Sequence, residues 1–342
     1  MTQQELDMLT QTLLTSRGFA HKVDIADVMT SLGNAGISYV PGMKEPIAIG
    51  DDCAAIPDGD SYLLFAIEGF VDDFVNSMPW FAGYCGVMVN ISDIAAMGGR
   101  PIAVVDAVWS QGMDPASDIM QGMAAASAQY GVPVVGGHTN NRSQTGQLAV
   151  AILGRAKKLL TSFHARPDDV LIMAIDLRGE YEAGKPYWNA STRAPSHRLR
   201  GDIDLLPQLA ETDLCDAAKD ISMAGAIGTA LMLAECSKVG LVINPEAIPR
   251  PREVPLAKWL QSFPSYGYVL SVRPNKVADV MAKFAARDID SAVVGTVTES
   301  SEVWLANKAG RCLLWDWNEK PFITSHKENK QKNSQKMTKQ AA

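Results

Sequence analysis

The sequence predicts a two-domain α/β protein, and three observations carry that prediction. The chain has 342 residues, long enough for two hydrophobic cores rather than one. Short apolar runs alternate with helical patterns along most of its length, as in layered α/β units. A turn-forming stretch, Ala165-Arg166-Pro167-Asp168-Asp169, interrupts the alternation near the middle, and a fresh apolar strand follows it. The expected organisation is a flexible, glycine-containing segment with a helix over 1–44, a first domain over 45–160, a second over 161–324, and a disordered basic tail over 325–342.

The elements follow in order. "MTQQELDMLT" is a polar amphipathic start, and "SLGNAGISYVPGMK" after it is rich in glycine and expected to be mobile. Ser61 to Ile67 reads as a buried strand after the turn "PDGD". From Pro79 to Met97 the period becomes helical, with Phe81, Tyr84, Val87, Met88, Ile91, Ile94 and Ala95 on one broad face. Gly98-Gly99 and Pro101 stop that helix. A strand over Ile102 to Trp109, a helix over Pro115 to Tyr130 closed by Gly131, and the strands "VPVV" and "QLAVAILGRA" complete the first half. The second half opens with the strand "VLIMAIDL". The stretch 178–201 has little periodicity and many turn formers, and reads as a long loop. Helices over Met223 to Ser237, Leu256 to Ser262 and Lys276 to Arg287 then alternate with strands "LVIN", "YVLSV" and "AVVGTV". The tail "KENKQKNSQKMTKQAA" has almost no apolar content.

Composition narrows the function. A net charge of -7 opposes general nucleic-acid binding, which needs a basic face. No apolar run approaches a membrane span and no signal-peptide pattern opens the chain. The five cysteines are scattered and lack C-x-x-C spacing, so they read as small core residues of a reducing compartment. The expectation is a cytoplasmic protein acting on a small molecule, with no nucleic acid and no membrane as partner.

Several polar residues stand out. "IGDDCAAI" places Asp51 and Asp52 side by side, and adjacent carboxylates call for a cation or for solvent. On the first helix Gly83, Gly86, Asn90, Asp93 and Met97 form a stripe opposite the apolar face. Glycine inside a helix costs about 1 kcal/mol relative to alanine, so something comes close there: another backbone, or a ligand with its metal. Glu68 ends the first strand, followed by Asp72 and Asp73, and "VVGGHTN" sets Gly136 and Gly137 before His138 and Thr139. Glycines at a strand end can turn backbone N–H groups toward an anion, and a tight turn beside a solvated histidine explains them as well. Taken together, Asp51, Asp52, Glu68, Asp93 and His138 resemble the oxygen-rich sets that hold Mg²⁺ against substrate phosphates.

"IGDDCAAI", "GVMVNISDIAAMGGRPIAVVDAVW", "VPVVGGHTN" and "KDISMAGAIGTALMLAECSKVGLVIN" occur in the order found in the AIR synthase-like (PurM-type) superfamily. That group includes aminoimidazole ribonucleotide synthase, thiamine-monophosphate kinase, selenophosphate synthetase and the hydrogenase carbamoyl-dehydrating protein. The resemblance spans roughly residues 45 to 300, and the closing "GYVLSV…AVVGTVTES" extends it. It implies the two-domain AIR synthase-like fold, whose N-terminal α/β domain dimerises through its sheet, with ATP and Mg²⁺ as cofactors. By position, Asp51, Asp52 and Asp93 match metal-binding aspartates, with Glu68 and His138 at further ligand positions. Asn90, Gly136, Gly137, Thr139 and Asp220 match the nucleotide side, and Lys44 and Arg142 are candidates for added positive charge.

Three positions depart from thiamine-monophosphate kinases. Ile67-Glu68 replaces Thr-Asp, His138 replaces the aspartate of Gly-Gly-Asp-Thr, and Met223-Ala224 replaces Asp-Gly after Asp220-Ile221-Ser222. A histidine nitrogen suits Mg²⁺ poorly. The glycine-rich segment has no cysteine of selenophosphate-synthetase type, and the tail has none of the carbamoyl-dehydrating type. The expected function is an ATP-dependent enzyme that phosphorylates, or activates with phosphate, a small amide, carboxylate or phosphate ester. Lys185, Tyr187, Trp188, Asn189 and Arg193 are the candidates for substrate choice. The alternatives are a thiamine-monophosphate kinase proper and a nucleotide-binding scaffold that has lost catalysis.

Overall fold

The computed structural model describes residues 1–32 and 47–325. Lys44, most of the glycine-rich stretch and the tail from 326 lie outside the described residues. Helices α1 (Gln3–Leu14) and α2 (Arg17–Leu32) open the chain. A capping box starts α1: the Glu5 amide donates to Thr2 Oγ1 and the Thr2 amide to Glu5 Oε2. Then come β1 (Ala54–Asp58), β2 (Ser61–Phe70), α3 (Asp72–Ser77), α4 (Pro79–Ala96), β3 (Arg100–Gln111), α5 (Met113–Tyr130), β4 (Val134–Asn140) and β5 (Arg142–Ala156). After them run β6 (Val170–Ile175), β7 (Glu180–Tyr181), β8 (Tyr187–Asn189), α6 (Ser196–Ile203), α7 (Leu205–Glu211), β9 (Ala217–Asp220), α8 (Gly225–Ser237) and β10 (Gly240–Ile243). The last described elements are α9 (Leu256–Trp259), β11 (Phe263–Pro264), β12 (Gly267–Val272), α10 (Val277–Ala285), β13 (Asp290–Thr298), β14 (Glu302–Asn307) and β15 (Gly310–Asp316).

These elements form two compact units, neither continuous in sequence. One comprises Asp52–Leu160 with Asn189–Asp213; the other comprises Met1–Asp51, Thr161–Trp188 and the chain from Leu214 onward. The linear boundary expected near residue 160 is thus one of several crossings. The stretch 178–201, expected to be a loop, holds two short strands and most of α6. Its few apolar positions are too irregularly spaced to show a period.

The first unit is a five-stranded sheet in the order β1-β2-β5-β3-β4, with only β3 and β4 parallel. Residues opposite one another in paired strands share a face. One inner row therefore reads Glu68–Val150–Asp106–Gly137, and the next Phe70–Leu148–Val108–Thr139. Leu148, Val150 and Val108 are buried there, because α4 covers this face. Helix α4 is buried on every side from Phe81 to Ala96, not only along its expected apolar stripe. A methyl group on Gly86 would lie 2.8 Å from Val150 Cγ2, and one on Gly83 would lie 2.0 Å from the Ile119 carbonyl oxygen. The glycines of the second stripe admit the sheet and the backbone of α5. Of the two readings left open by the sequence, backbone packing holds for Gly83, while Gly86 makes room for the Val150 and Leu148 side chains of the sheet.

The second unit is a seven-stranded sheet in the order β15-β14-β10-β13-β6-β12-β9, with a small sheet β11-β8-β7 beside it. Leu171, Met173, Ile175, Val269 and Leu241 pack with Ile227, Ala230 and Leu231 of α8 in its core. Two carboxylates are built into this unit with their partners. Asp169 receives the Ser271 hydroxyl (2.7 Å) and the Arg273 guanidinium. Glu235 receives the amides of Phe322 and Ile323 and the Thr324 hydroxyl, at 2.7–2.9 Å. Buried charges held this way are compensated rather than available for chemistry. All five cysteines are free, four of them buried, as expected of core residues. Among the described residues no helix is long and apolar enough to cross a membrane.

Candidate functional site

The site grows out of α4. Its length, 18 residues, and its burial fix the direction of every side chain on it. Asn90 and Asp93 lie three residues apart, one above the other on the same stripe. Asn90 is fully buried; its Nδ2 donates to the Gly86 carbonyl at 2.7 Å, and its Oδ1 accepts nothing from the described residues. An unsatisfied buried acceptor costs about 1–3 kcal/mol, so the position favours a ligand that brings a donor.

Asp93 is 4% exposed, and Asp52, just before β1, is half-buried. One carboxylate oxygen of each lies within 4.8 Å of the other. Two negative charges that close repel by about 3 kcal/mol or more at an effective dielectric of about 20. The pair is stable as two anions only when a cation or other donors share the space. Its donor set is oxygen alone, which fits Mg²⁺ and not a nitrogen- or sulfur-seeking metal.

The remaining sequence candidates are distributed as follows. Asp51 holds a turn: its Oδ2 accepts the Ser162 amide (2.9 Å) and its Oδ1 the Ser162 hydroxyl (2.6 Å). Glu68 is half-buried on the inner face beside Val150. His138 falls in the outer row Gly69–Ala149–Ala107–His138, with its ring 6.3 Å from that of Trp109. The pleat thus aims His138 away from the face that α4 covers, and the structure does not bring it to the Asp52–Asp93 pair. Thr139 points to the inner face and is exposed. Arg142 is exposed at the start of β5. Asp220 closes β9 in the other unit, 5% exposed and opposite Tyr268. Of the substrate-choice candidates, Trp188 is buried in the core of its unit, and Asn189 shapes a turn by accepting the Ser191 and Thr192 amides. Lys185 and Arg193 are exposed, and Tyr187 is half-buried.

The two adjacent glycines of β4 behave differently. A methyl group on Gly136 would meet nothing within 4 Å, whereas one on Gly137 would lie 2.4 Å from Asp106 Oδ2. Gly137 leaves room for a carboxylate, and that negative charge opposes an anion approaching from the inner face. Burial alone holds the Asp106 carboxyl above the ordinary aspartate range. Sequence reading passed over Asp106, although an aspartate inside the apolar strand "IAVVDAVW" was the signal that could have found it.

The model for the N-terminal domain of AIR synthase related protein matches residues 50–156, and that for its C-terminal domain matches residues 179–305. An uncharacterised protein of Synechocystis sp. is 48% identical over 306 residues, covering 89% of this chain and 94% of that protein. The thiamine-monophosphate kinase of Pyrococcus horikoshii is 27% identical over 298 residues, covering 79% of this chain and 90% of the kinase. Among solved structures, T. maritima PurL complexed with ATP has a TM-score of 0.70 at 17% identity. That match covers 94% of this chain but only 55% of PurL, so the chain spans about half the length of that protein. AaThiL complexed with AMPPCP and TMP has a TM-score of 0.60 at 19% identity, covering 78% of this chain and 92% of that one.

Proposed function

The chain belongs to the AIR synthase related protein family, and we propose that it is an ATP-dependent enzyme transferring phosphate to a small-molecule acceptor. The observation that carries this reading is the Asp52–Asp93 carboxylate pair, half-buried and buried, with Asn90 one turn away on α4. Relatives that are thiamine-monophosphate kinases, and structural neighbours complexed with ATP or AMPPCP, support it. Phosphoryl transfer needs alignment and charge neutralisation more than covalent help from the protein. Asp52 and Asp93 would hold Mg²⁺, which supplies the positive charge that a polyphosphate requires. Asn90 offers its Oδ1 to a donor on the nucleotide. The acceptor is an amide, a carboxylate or a phosphate ester.

Two copies of the chain pair through the outer face of the five-stranded sheet in this reading. Phe65 and Leu153 share one outer row and Ile67 and Val105 another. All four are large, apolar and 38–66% exposed. All seven residues of the edge strand β4 are exposed as well. A contiguous apolar face beside an unpaired strand edge is what an isologous contact buries.

Titration calorimetry with Mg²⁺ and AMPPCP, followed by an ADP-release screen that includes thiamine monophosphate, amides and carboxylates, tests the function. Binding is expected in the wild type, and Asp93→Asn is expected to weaken it by at least about tenfold, since it removes one hard anionic ligand. No heat and no thermal stabilisation by millimolar nucleotide would remove the ATP-based reading.

A further inference from the structure

The segment Asn189–Asp213 lies within the stretch matched by the C-terminal family domain, yet it packs as part of the first unit. Its contacts are specific. Ser191 is 2% exposed, and its Oγ lies 2.7 Å from the hydroxyl of Tyr84 on α4 and 2.7 Å from that of Tyr130 on α5. A serine hydroxyl has one proton and two acceptor lone pairs, so at least one of the two tyrosines donates to it. Burial raises the Tyr84 hydroxyl to about 12, which keeps it protonated across the physiological range.

Arg200 donates to the carbonyls of Ala128 (2.7 Å) and Gln129 (2.9 Å). Those are end-of-helix acceptors of α5 that no helical amide reaches, and a cation there also favours the helix dipole. Gly131 caps α5 in the left-handed region (φ 76), and a methyl group on it would lie 3.1 Å from the Arg200 guanidinium carbon. Farther along, Arg100 binds Asp204 (2.7 Å) and Glu211 (2.6 Å), and Lys158 binds Asp213 (2.7 Å). The segment is thereby fastened near both of its ends and along its length.

We propose that Asn189–Asp213 is a positioning strap of the first unit, and that Ser191 sets the roll of α4 and thereby the aim of Asn90 and Asp93. A helix turns 100° per residue, so a small roll at Tyr84 moves Asn90 and Asp93 sideways off their stripe. The functional consequence rests on the nucleotide reading above; the mechanical claim does not.

The test uses the full-length protein with Ser191→Ala, Ser191→Thr and Tyr84→Phe, measured by hydrogen exchange and by titration with Mg²⁺ and AMPPCP. Exchange over residues 84–97 is expected to be about five- to tenfold faster in Tyr84→Phe, the worth of one buried hydrogen bond, and at least as fast in Ser191→Ala, which removes the bonds to both tyrosines. Exchange in α8 stays at the wild-type rate, nucleotide affinity falls by a similar factor, and Ser191→Thr, which keeps the hydroxyl, recovers part of both. Unchanged exchange in α4, or equal loosening of α4 and α8, overturns the strap. Faster exchange with unchanged affinity overturns the positioning role. Absence of nucleotide binding in the wild type overturns the function instead, and the strap is then judged by exchange alone. If Ser191→Ala does not fold, Tyr84→Phe removes the bond to α4 alone, with the ring and the Ser191–Tyr130 bond retained.

Discussion

The two faces of the five-stranded sheet are made by the same strands, yet they behave as different materials. The inner row Glu68–Val150–Asp106–Gly137 sets carboxylates on either side of a buried valine under α4. The outer row Ile67–Ala151–Val105–Gly136 is apolar and open. A shift of one residue exchanges the faces. Neighbours in one sequence motif therefore serve different purposes: Gly137 and Thr139 belong with Asp106, while Gly136 and His138 belong with the apolar side. A motif read as a unit along the chain is cut lengthwise by the pleat.

Disturbing the layer over the inner face should cost the fold most. Gly83→Ala places a methyl group 2.0 Å from the Ile119 carbonyl, where only backbone can yield. Chemical denaturation is expected to show a loss of about 3 kcal/mol. Gly136→Ala, on the outer face with nothing within 4 Å, is expected to change stability by less than about 0.5 kcal/mol. Equal effects at the two sites would mean that α4 does not rest on α5 as described. The outer face is tested by Ile67→Lys, at a side chain 66% exposed. Light scattering is expected to show dimer in the wild type and monomer in the variant, with the melting temperature of the monomer little altered. A wild-type monomer at every concentration would overturn the pairing through this face.

Much of the fold was legible in the sequence because it is written in periods. The strand over Ser61 to Ile67, the helix over Pro79 to Met97 and the stop at Gly98 all reappear within a few residues as β2, α4 and the turn after it. Helix α5 ends at the expected Gly131, whose left-handed backbone the sequence signals directly. What did not show is what depends on contacts distant along the chain. The segment after Trp188 has no period that says it packs on α4 and α5, since Ser191 and Arg200 are ordinary loop and surface residues until Tyr84, Tyr130 and the end of α5 are placed beside them. The glycine stripe was visible, but its meaning depended on Ile119 and Val150, which no spacing on α4 can report. Of the candidate site, Asp52 and Asp93 were found by motif and came together. Asp51 and His138 had the same apparent standing and went elsewhere, one to Ser162 and one to the outer face.

The smallest expected effect concerns Asp106, and it sharpens the difference between the faces. Its carboxyl fills the space that Gly137 leaves, and burial raises its pKa above the ordinary aspartate value of 3.8. A carboxyl raised in the folded state favours the fold below its unfolded value, and that stability is lost as pH rises through the folded value. At neutral pH the ionised group therefore works against folding, although partial exposure lets water screen the cost. Asp106→Asn keeps the shape and removes the charge. Scanning calorimetry is expected to show a melting temperature higher by no more than about 2 °C at pH 7. The gain shrinks to nothing as the pH approaches the unfolded aspartate range. A gain that persists in acid would assign the effect to packing against Gly137, and a loss at pH 7 would show that the ionised carboxylate stabilises the fold. On the outer face no such pH dependence is expected from Ile67→Lys, because an exposed lysine stays charged throughout that range.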